Sequence, residues 1–371
     1  MRRAIALRIV DASPRPLLVT PALSYFSHIL YTKRGGPPLE SVSVEILDLR
    51  HFNSTDLRPL LEEENEVWRS TLHWDFRPSA QMILRYTDAR ILPGFAAIER
   101  GRVHGYCFFV YEGSKGVIGD MFVEHSEFTR DRRHDLEHEL LQHCISTLME
   151  SPGLQRVESQ LLIFPTDQLA KPFMNEGFRR YQRFFLARPV ENSYSDPSVL
   201  LPADIEINRW TEADYQPAAS IITAAYRGHV DSDVNDQYRT VSGSLRFLNN
   251  IVRFPGCGAF DASSSFVAFH RPTRTRIGIL LCSRVRGDVG HITQICTLPE
   301  YRGRGIGEHL ISHCHADLAS RGFSELSLTV TGENDRARAL YERLNFRQVH
   351  SFDGFVWENR FPELISAGWE M

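Results

Sequence analysis

Cysteine is scarce in this chain of 371 residues: there are six, at positions 107, 144, 257, 282, 296 and 314, none in a CxxC pair. That density excludes a disulfide-stapled scaffold and makes reduced, buried thiols the default. Long apolar runs are missing as well. No 18-residue uncharged apolar stretch occurs, and Arg8, Asp11 and Arg15 interrupt the basic N-terminal segment where a leader would need continuity. The expectation is a cytoplasmic protein with no membrane partner. Charge of one sign is not in excess either. Lys+Arg 42 against Asp+Glu 46 leaves a net −4, which gives a nucleic-acid partner no support. Gly 24 and Pro 19 are background amounts that exclude collagen-like and low-complexity chains. There is no GK[ST], so a P-loop is excluded.

What is present is a mixed α/β pattern written twice. The length alone suggests roughly two domains at ~150 residues each. After a turn-rich stretch at Lys33-Arg34-Gly35-Gly36-Pro37-Pro38, strand-like Val44–Leu49 leads into a helical period over Leu57–Trp68. Three strands follow (AAIE, YCFFVYE, GVIGDMFV), then a helix over Leu136–Met149, the strand VESQLLI, a short helix and the strand QRFFLARP. A Pro/Ser/Asp-rich stretch, residues 193–202, intervenes and the order restarts. Ile205–Ile207 is a strand and Thr211–Tyr226 a helix with Thr211 and Asp214 as a capping box. Strands FVAF, IGILLCSR and HITQICTL, a helix over Ile306–Arg321, strand LSLTV, a helix over Asp335–Leu344 and strand FDGFVWE complete the second pass. The segment from Phe173 to Arg179 matches that from Tyr341 to Arg347 at an offset of 341 − 173 = 168 residues. A period this long indicates duplicated domains rather than a solenoid. The division is a 1–40 extension, a first domain over 41–195 and a second over 196–371.

The sharpest chemical signal is Cys296–Ile311, CTLPEYRGRGIGEHLI. A β-branched strand ends at Leu298-Pro299 and turns through Arg302-Gly303-Arg304-Gly305-Ile306-Gly307 into a helix. Glycines at such a turn let backbone N–H groups approach a ligand, and the helix start adds a positive dipole end, which together make an anion cradle. Arg302 and Arg304 add charge for phosphates. Glu308 stands where GxGxxG needs its third glycine, so this is not a dinucleotide fingerprint. Following LSLTV, Asn334 is a good N-cap and Tyr341 lies seven residues on, two turns along the same helix face.

Arg-x-x-Gly-x-Gly followed by Asn-x6-Tyr-x4-Phe resembles the GCN5-related N-acetyltransferase (GNAT) family over roughly residues 204–360. The resemblance implies two tandem acyl-CoA N-acyltransferase domains and direct transfer of an acetyl group from acetyl-CoA to an amine, with no metal. It implies that the backbone of Cys296, Thr297 and Leu298 pairs with the pantetheine arm and that Arg302 through Gly307 hold the pyrophosphate. Family members more often carry Gln where Arg302 stands. Asn334 matches a cofactor contact, and Tyr341 matches the hydroxyl that protonates the departing thiolate. Cys296 is read as a small buried residue, not a nucleophile. Leu328-Thr329-Val330 lacks the Glu that serves some relatives as base. His291 is the remaining proton-relay candidate, and loss of the amine proton to water is the alternative.

In the first half, Ser126–Arg133 replaces the glycine turn and Phe173 replaces the tyrosine, which makes that half a worn copy without cofactor binding. His134-Asp135-Leu136-Glu137-His138 spells an inverted zincin motif, but zinc would also need a third ligand from elsewhere and a water-binding cleft, and a solvated His/Glu face on the helix of a worn copy is the expectation. The resemblance implies that the loop Arg227–Val252 sets acceptor specificity, and its Asp231, Asp233 and Asp236 suit a cationic amine, with a solvated acidic loop as the alternative. A homodimer is left open, and a non-catalytic acyl-CoA-binding regulator is the competing function.

Overall fold

The computed structural model describes residues 44–191, 197, 199–253 and 258–359. The expected extension over 1–40, Cys257 and most of 193–198 lie outside the described residues. The first pass runs β1 (Glu45–Asp48), α1 (Ser54–Leu72), α2 (Arg77–Asp88), β2 (Gly94–Glu99), β3 (Arg102–Glu112), β4 (Lys115–Val123), α3 (Arg133–Met149), β5 (Arg156–Gln160), α4 (Ala170–Asn175) and β6 (Arg179–Pro189). The second runs β7 (Ile205–Arg209), α5 (Tyr215–Ala225), α6 (Val230–Val234), α7 (Val241–Arg253), β8 (Ala259–Phe260), β9 (Phe266–His270), β10 (Thr275–Arg286) and β11 (Val289–Thr297). It ends with α8 (Ile306–Ser320), β12 (Glu325–Thr331), α9 (Asp335–Arg343) and β13 (Arg347–Glu358).

The caps explain where helices start. Asn53 accepts from the Thr55 N–H and Asp56 reaches back to the Asn53 N–H, closing a capping box on α1. Thr211 and Asp214 form the expected box, but its first turn is a 3-10 helix over Glu212–Asp214, and α5 starts only at Tyr215. The stretch read as an acceptor loop is instead helical: α6, a 3-10 turn over Asp236–Arg239 and α7. Gly228, Gly243 and several serines hide the apolar row Leu245, Leu248 and Ile251 that α7 turns inward. α2 is a further helix absent from the sequence reading. The strand VESQLLI stops at Gln160, and Leu161 and Ile163 are buried in the turn that follows.

One 13-stranded sheet joins both passes, in the order β1-β2-β3-β4-β5-β13-β6-β12-β11-β10-β9-β7, with β8 beside β10. Each half gives its last strand to the other: β13 pairs with β5, and β6 pairs with β12. The two exchanged strands meet antiparallel, with Ser351 opposite Phe184 and Phe352 opposite Arg183. Because 351 − 183 = 168, the crossing point is a local two-fold axis relating the copies. Helices cover the sheet as the burial pattern requires: α1 and α3 pack on β3, and α5 and α8 on β10.

Ion pairs lock the exchange. The Arg156 guanidinium, 4% exposed, donates to Glu158, to Glu358 and to the Asp233 carbonyl. Lys115 donates to Glu158 at 3.2 Å and to Asp236 at 2.8 Å. Two of the three aspartates expected to attract an amine have basic partners: Asp236 holds Lys115 across the halves, and the Asp233 carboxylate lies 3.5 Å from Arg239 of its own half while its backbone carbonyl accepts from Arg156. Removing one partner from a buried ion pair strands the others, at a cost of about 3 kcal/mol or more. Arg156→Ala is therefore expected to lower unfolding free energy by about 3 kcal/mol in urea titrations. A loss under about 1 kcal/mol, the value of a surface pair, would show that the network does not hold the halves.

Candidate active site

The site forms where β11 and β12 part. They pair in parallel only from Val289↔Glu325 to Ile292↔Leu328. A bulge at Thr293 follows, since Cys282 faces Ile292 but Leu281 faces Gln294. Beyond it β12 is held by β6 on its far side, Thr329 to Thr331 opposite Phe185 to Arg183. The freed edge of β11 looks into a cleft of about 550 Å³. Pro299 opens a 3-10 turn that ends β11, and Gly303 and Gly305 then take left-handed φ values of 82° and 77°. Gly305 is the N-cap of α8, so the leading N–H groups of that helix, which have no acceptor one turn back, face the cleft.

Ten of the twelve residues expected to bind or react are Cys296, Thr297, Leu298, Arg302, Gly303, Arg304, Gly305, Ile306, Gly307 and Asn334; eight of these line the cleft, together with Tyr341. Asn334 N-caps α9, its side chain accepting from the Ala337 N–H at 3.2 Å. Tyr341 lies two turns further on the same helix, 6% exposed. Burial pushes its phenol above the ordinary range, with the Asp231 carboxylate and Cys296 adding to the rise, so the hydroxyl keeps its proton. Cys296 is likewise pushed up to about 12 by burial, against the pull of Arg302. It stays a thiol and is no nucleophile. Arg302 donates to the Ala225 carbonyl at the end of α5.

Three expected residues are placed elsewhere. Leu298 packs into the core and donates its N–H to Ile277 O at 2.8 Å. Arg304 is drawn away by the Asp204 carboxylate, both oxygens at 2.9 Å. His291 is the larger correction. It lies five residues before Cys296, about 16 Å along the strand, buried edge-on to Trp74 and stacked on Phe185. Its Nδ1 is 2.9 Å from Ser327 Oγ, and burial pushes its pKa down to about 3. A neutral, enclosed imidazole that far from the cleft relays no proton there.

The structure adds cations that the sequence reading missed. Arg336 and Arg343, seven residues apart on α9, line the cleft with Arg302, and the Arg336 guanidinium lies 3.5 Å from where a Cβ on Gly303 would stand. Their spacing on the helix of Asn334 and Tyr341 was a usable signal. Tyr226 also lines the cleft, donating to Gln294 Oε1 at 2.8 Å. Asp231 remains near Tyr341, accepting from the Thr331 hydroxyl.

The corresponding places in the first half are filled. Phe173, fully buried, stacks face to face on Phe355 at 4.1 Å. Arg132 lies over the Phe128 ring at 3.5 Å, and the buried Thr129 hydroxyl donates to Glu124 O, plugging the glycine-free turn. In the zincin-like motif, His134 pairs with Glu137 at 2.9 Å while His138 donates to Gln168 O at 3.0 Å. Among the described residues no group of three His, Cys, Asp or Glu side chains converges as metal ligands would.

Residues 238–346, which carry most of this cleft, match the acetyltransferase (GNAT) family. That stretch is GNAT-like in sequence. A 53-residue stretch is 42% identical to an acetyltransferase of Sodalis glossinidius, covering 14% of this chain and 37% of that protein. A 48-residue stretch is 40% identical to an acetyltransferase of Yersinia pestis, covering 13% and 34%. The chain thus spans about a third of the length of these curated relatives. Among solved structures, a GCN5-related N-acetyltransferase from Sphaerobacter thermophilus superposes with a TM-score of 0.61 at 15% identity, over 85% of this chain and 95% of that one. A tandem GNAT protein from the clavulanic acid biosynthesis pathway gives 0.52 at 13%, over 85% and 98%. At such identities they establish the shared fold, a GNAT architecture spanning both halves. Among the described residues no helix is long and apolar enough to cross a membrane.

Proposed function

We propose that this chain is an acetyl-CoA-dependent N-acetyltransferase whose second half carries out direct transfer to an amine, while the first half has lost the phosphate turn. The observation that carries the reading is the convergence, in one cleft, of the splayed β11 edge, the Gly303–Gly307 turn at the α8 N-terminus and the protonated Tyr341 hydroxyl. The cleft suits a phosphorylated thioester: Gly303 and Gly305 leave the turn open, and Arg302, Arg336 and Arg343 supply counter-charge. Bound acetyl-CoA would supply the acetyl group as a thioester.

The chain's own groups then have distinct tasks. The free edge of β11 at Cys296 and Thr297 orients an extended arm by backbone hydrogen bonds. The α8 N–H groups and the three arginines hold anionic charge. Tyr341 gives its proton to the departing sulfur and recovers one from water. With His291 far from the cleft, the amine gives its proton to water or to His229, which lines the cleft 3.4 Å from Asp231.

Full-length protein mixed with acetyl-CoA and a panel of amines, peptides and aminoglycosides, with free thiol as readout, tests this. Thiol release that depends on one acceptor class supports it; tight acetyl-CoA binding with no release on any acceptor would leave only a binding module. His291→Asn is expected to keep the saturated transfer rate within about twofold, because the neutral imidazole touches no reacting atom. A loss of 10²-fold or more, the usual worth of a general base, would restore His291 to the mechanism.

A further inference from the structure

The first half keeps a cavity of about 480 Å³ where its own strands part. β4 and β5 pair in parallel from Lys115↔Arg156 to Ile118↔Ser159. A bulge at Gly119 follows, since Phe109 faces Ile118 and Phe108 faces Asp120. This repeats the break that opens the cleft of the second half, but here the turn that would hold phosphate is plugged and the walls are aromatic. Trp68 stacks on Phe76 at 5.0 Å and on Trp74 at 5.6 Å, and Phe108 and Phe164 complete the wall. Trp74 is 9% exposed, and its indole N–H has no acceptor among the described residues.

Asp120 lines this cavity, with Glu64 behind it. The Tyr106 hydroxyl is 2.6 Å from Glu64 Oε2 and 2.9 Å from Asp120 Oδ2. A phenol has one proton to give, so one of these contacts must be a carboxylic O–H donating to the phenol oxygen. At least one of the two carboxyls is therefore protonated, and the pair can hold at most one negative charge. Burial raises both carboxyls, Asp120 to about 7. The hydrogen bonds that hold the pair come from Trp68 Nε1, Tyr106 and the Met121 N–H, none of them a cation. Two arginines line the mouth: Arg284 is exposed, and Arg286 is paired with Asp288 at 2.7 Å. The fold does not demand this charge. At the matching bulge of the second half stands Gln294, bonded to Tyr226, a neutral pair.

A buried negative charge facing an aromatic cavity is complementary to a cation carrying an apolar body. We propose that the cavity of the first half binds an organic ammonium ion, its head on Asp120 and its body against Trp68, Trp74 and Phe108. The second half closes one side of this cavity with Ala259, Val285 and Gly287, and the proposal does not depend on the transferase reading of the second-half cleft.

The test uses full-length protein, with the fluorescence of the wall tryptophans as readout and phenethylammonium, 2-phenylethanol and 3-phenylpropionate as probes. Saturable quenching by the ammonium ion is expected, with the alcohol at least about tenfold weaker and the anion weaker still. Asp120→Asn should remove the preference for the ammonium ion and leave alcohol binding unchanged. Ser79→Phe, which fills the cavity from α2 and leaves the carboxyls intact, should abolish both with an unchanged circular dichroism spectrum. The proposal is overturned by absence of saturable binding at millimolar concentrations, or by equal affinity for ammonium and alcohol. Ammonium binding that survives Ser79→Phe would overturn it too, even if Asp120→Asn failed to fold.

Discussion

Replacing Tyr341 by Phe is expected to lower the saturated rate of acetyl transfer by about 10²–10³-fold, within the range a positioned general acid contributes. Acetyl-CoA affinity should stay within about twofold of the parent. The substitution removes one oxygen from a side chain that is 6% exposed and packs against Phe346 at 5.8 Å, so the fold has little to lose. No described group hydrogen-bonds the hydroxyl in a way that a structural role would need. Its phenol is held above the ordinary range, first by burial and then by Asp231 and Cys296. No titration of Tyr341 should therefore appear in the rate profile below about pH 10. An unchanged rate, or equal losses in rate and cofactor affinity, would remove Tyr341 from the chemistry.

Gly305→Val is expected to weaken acetyl-CoA binding by about 10²-fold or more, equal to about 2.7 kcal/mol. Two effects combine. The residue sits at φ 77°, where a β-branched side chain costs about 1–3 kcal/mol. A Cβ there would also stand 3.2 Å from Val199 Cγ1, so either Val199 or the N-cap of α8 must give way, and the added valine methyls crowd the N–H groups aimed at the cleft. Gly305→Ala should fall between the two. Circular dichroism that matches the parent, together with calorimetric binding of acetyl-CoA, separates loss of the cradle from loss of the fold. Parent-like affinity in the valine variant would sink the phosphate assignment.

Much of this was legible before any coordinates. The two passes of strands and helices, the 168-residue offset, the glycine turn and the Asn334–Tyr341 helix are local patterns, and local patterns are what a sequence displays. The exchange of β6 and β13 is not of that kind. The two strands are copies of one another, so either satisfies the same alternation beside β5 or β12, and only the register of the whole sheet decides. His291 misled for a related reason. Its burial comes from Trp74 and Phe185, both far away in sequence and both contributed by the first half. Arg304 offered its charge to phosphate in the sequence and gives it to Asp204 in the fold, a pairing across 100 residues. α7 was hidden by glycine and serine among its apolar positions, and with it went the fact that Asp233 and Asp236 are tied to basic partners.

The central claim is that the duplicated fold keeps a single acyl-CoA cleft, in the second half. Calorimetric titration of the full chain with acetyl-CoA tests it most directly. One site per chain is predicted, lost in Gly305→Val and retained in Tyr341→Phe. Two equivalent sites per chain, or one site indifferent to Gly305, would contradict it.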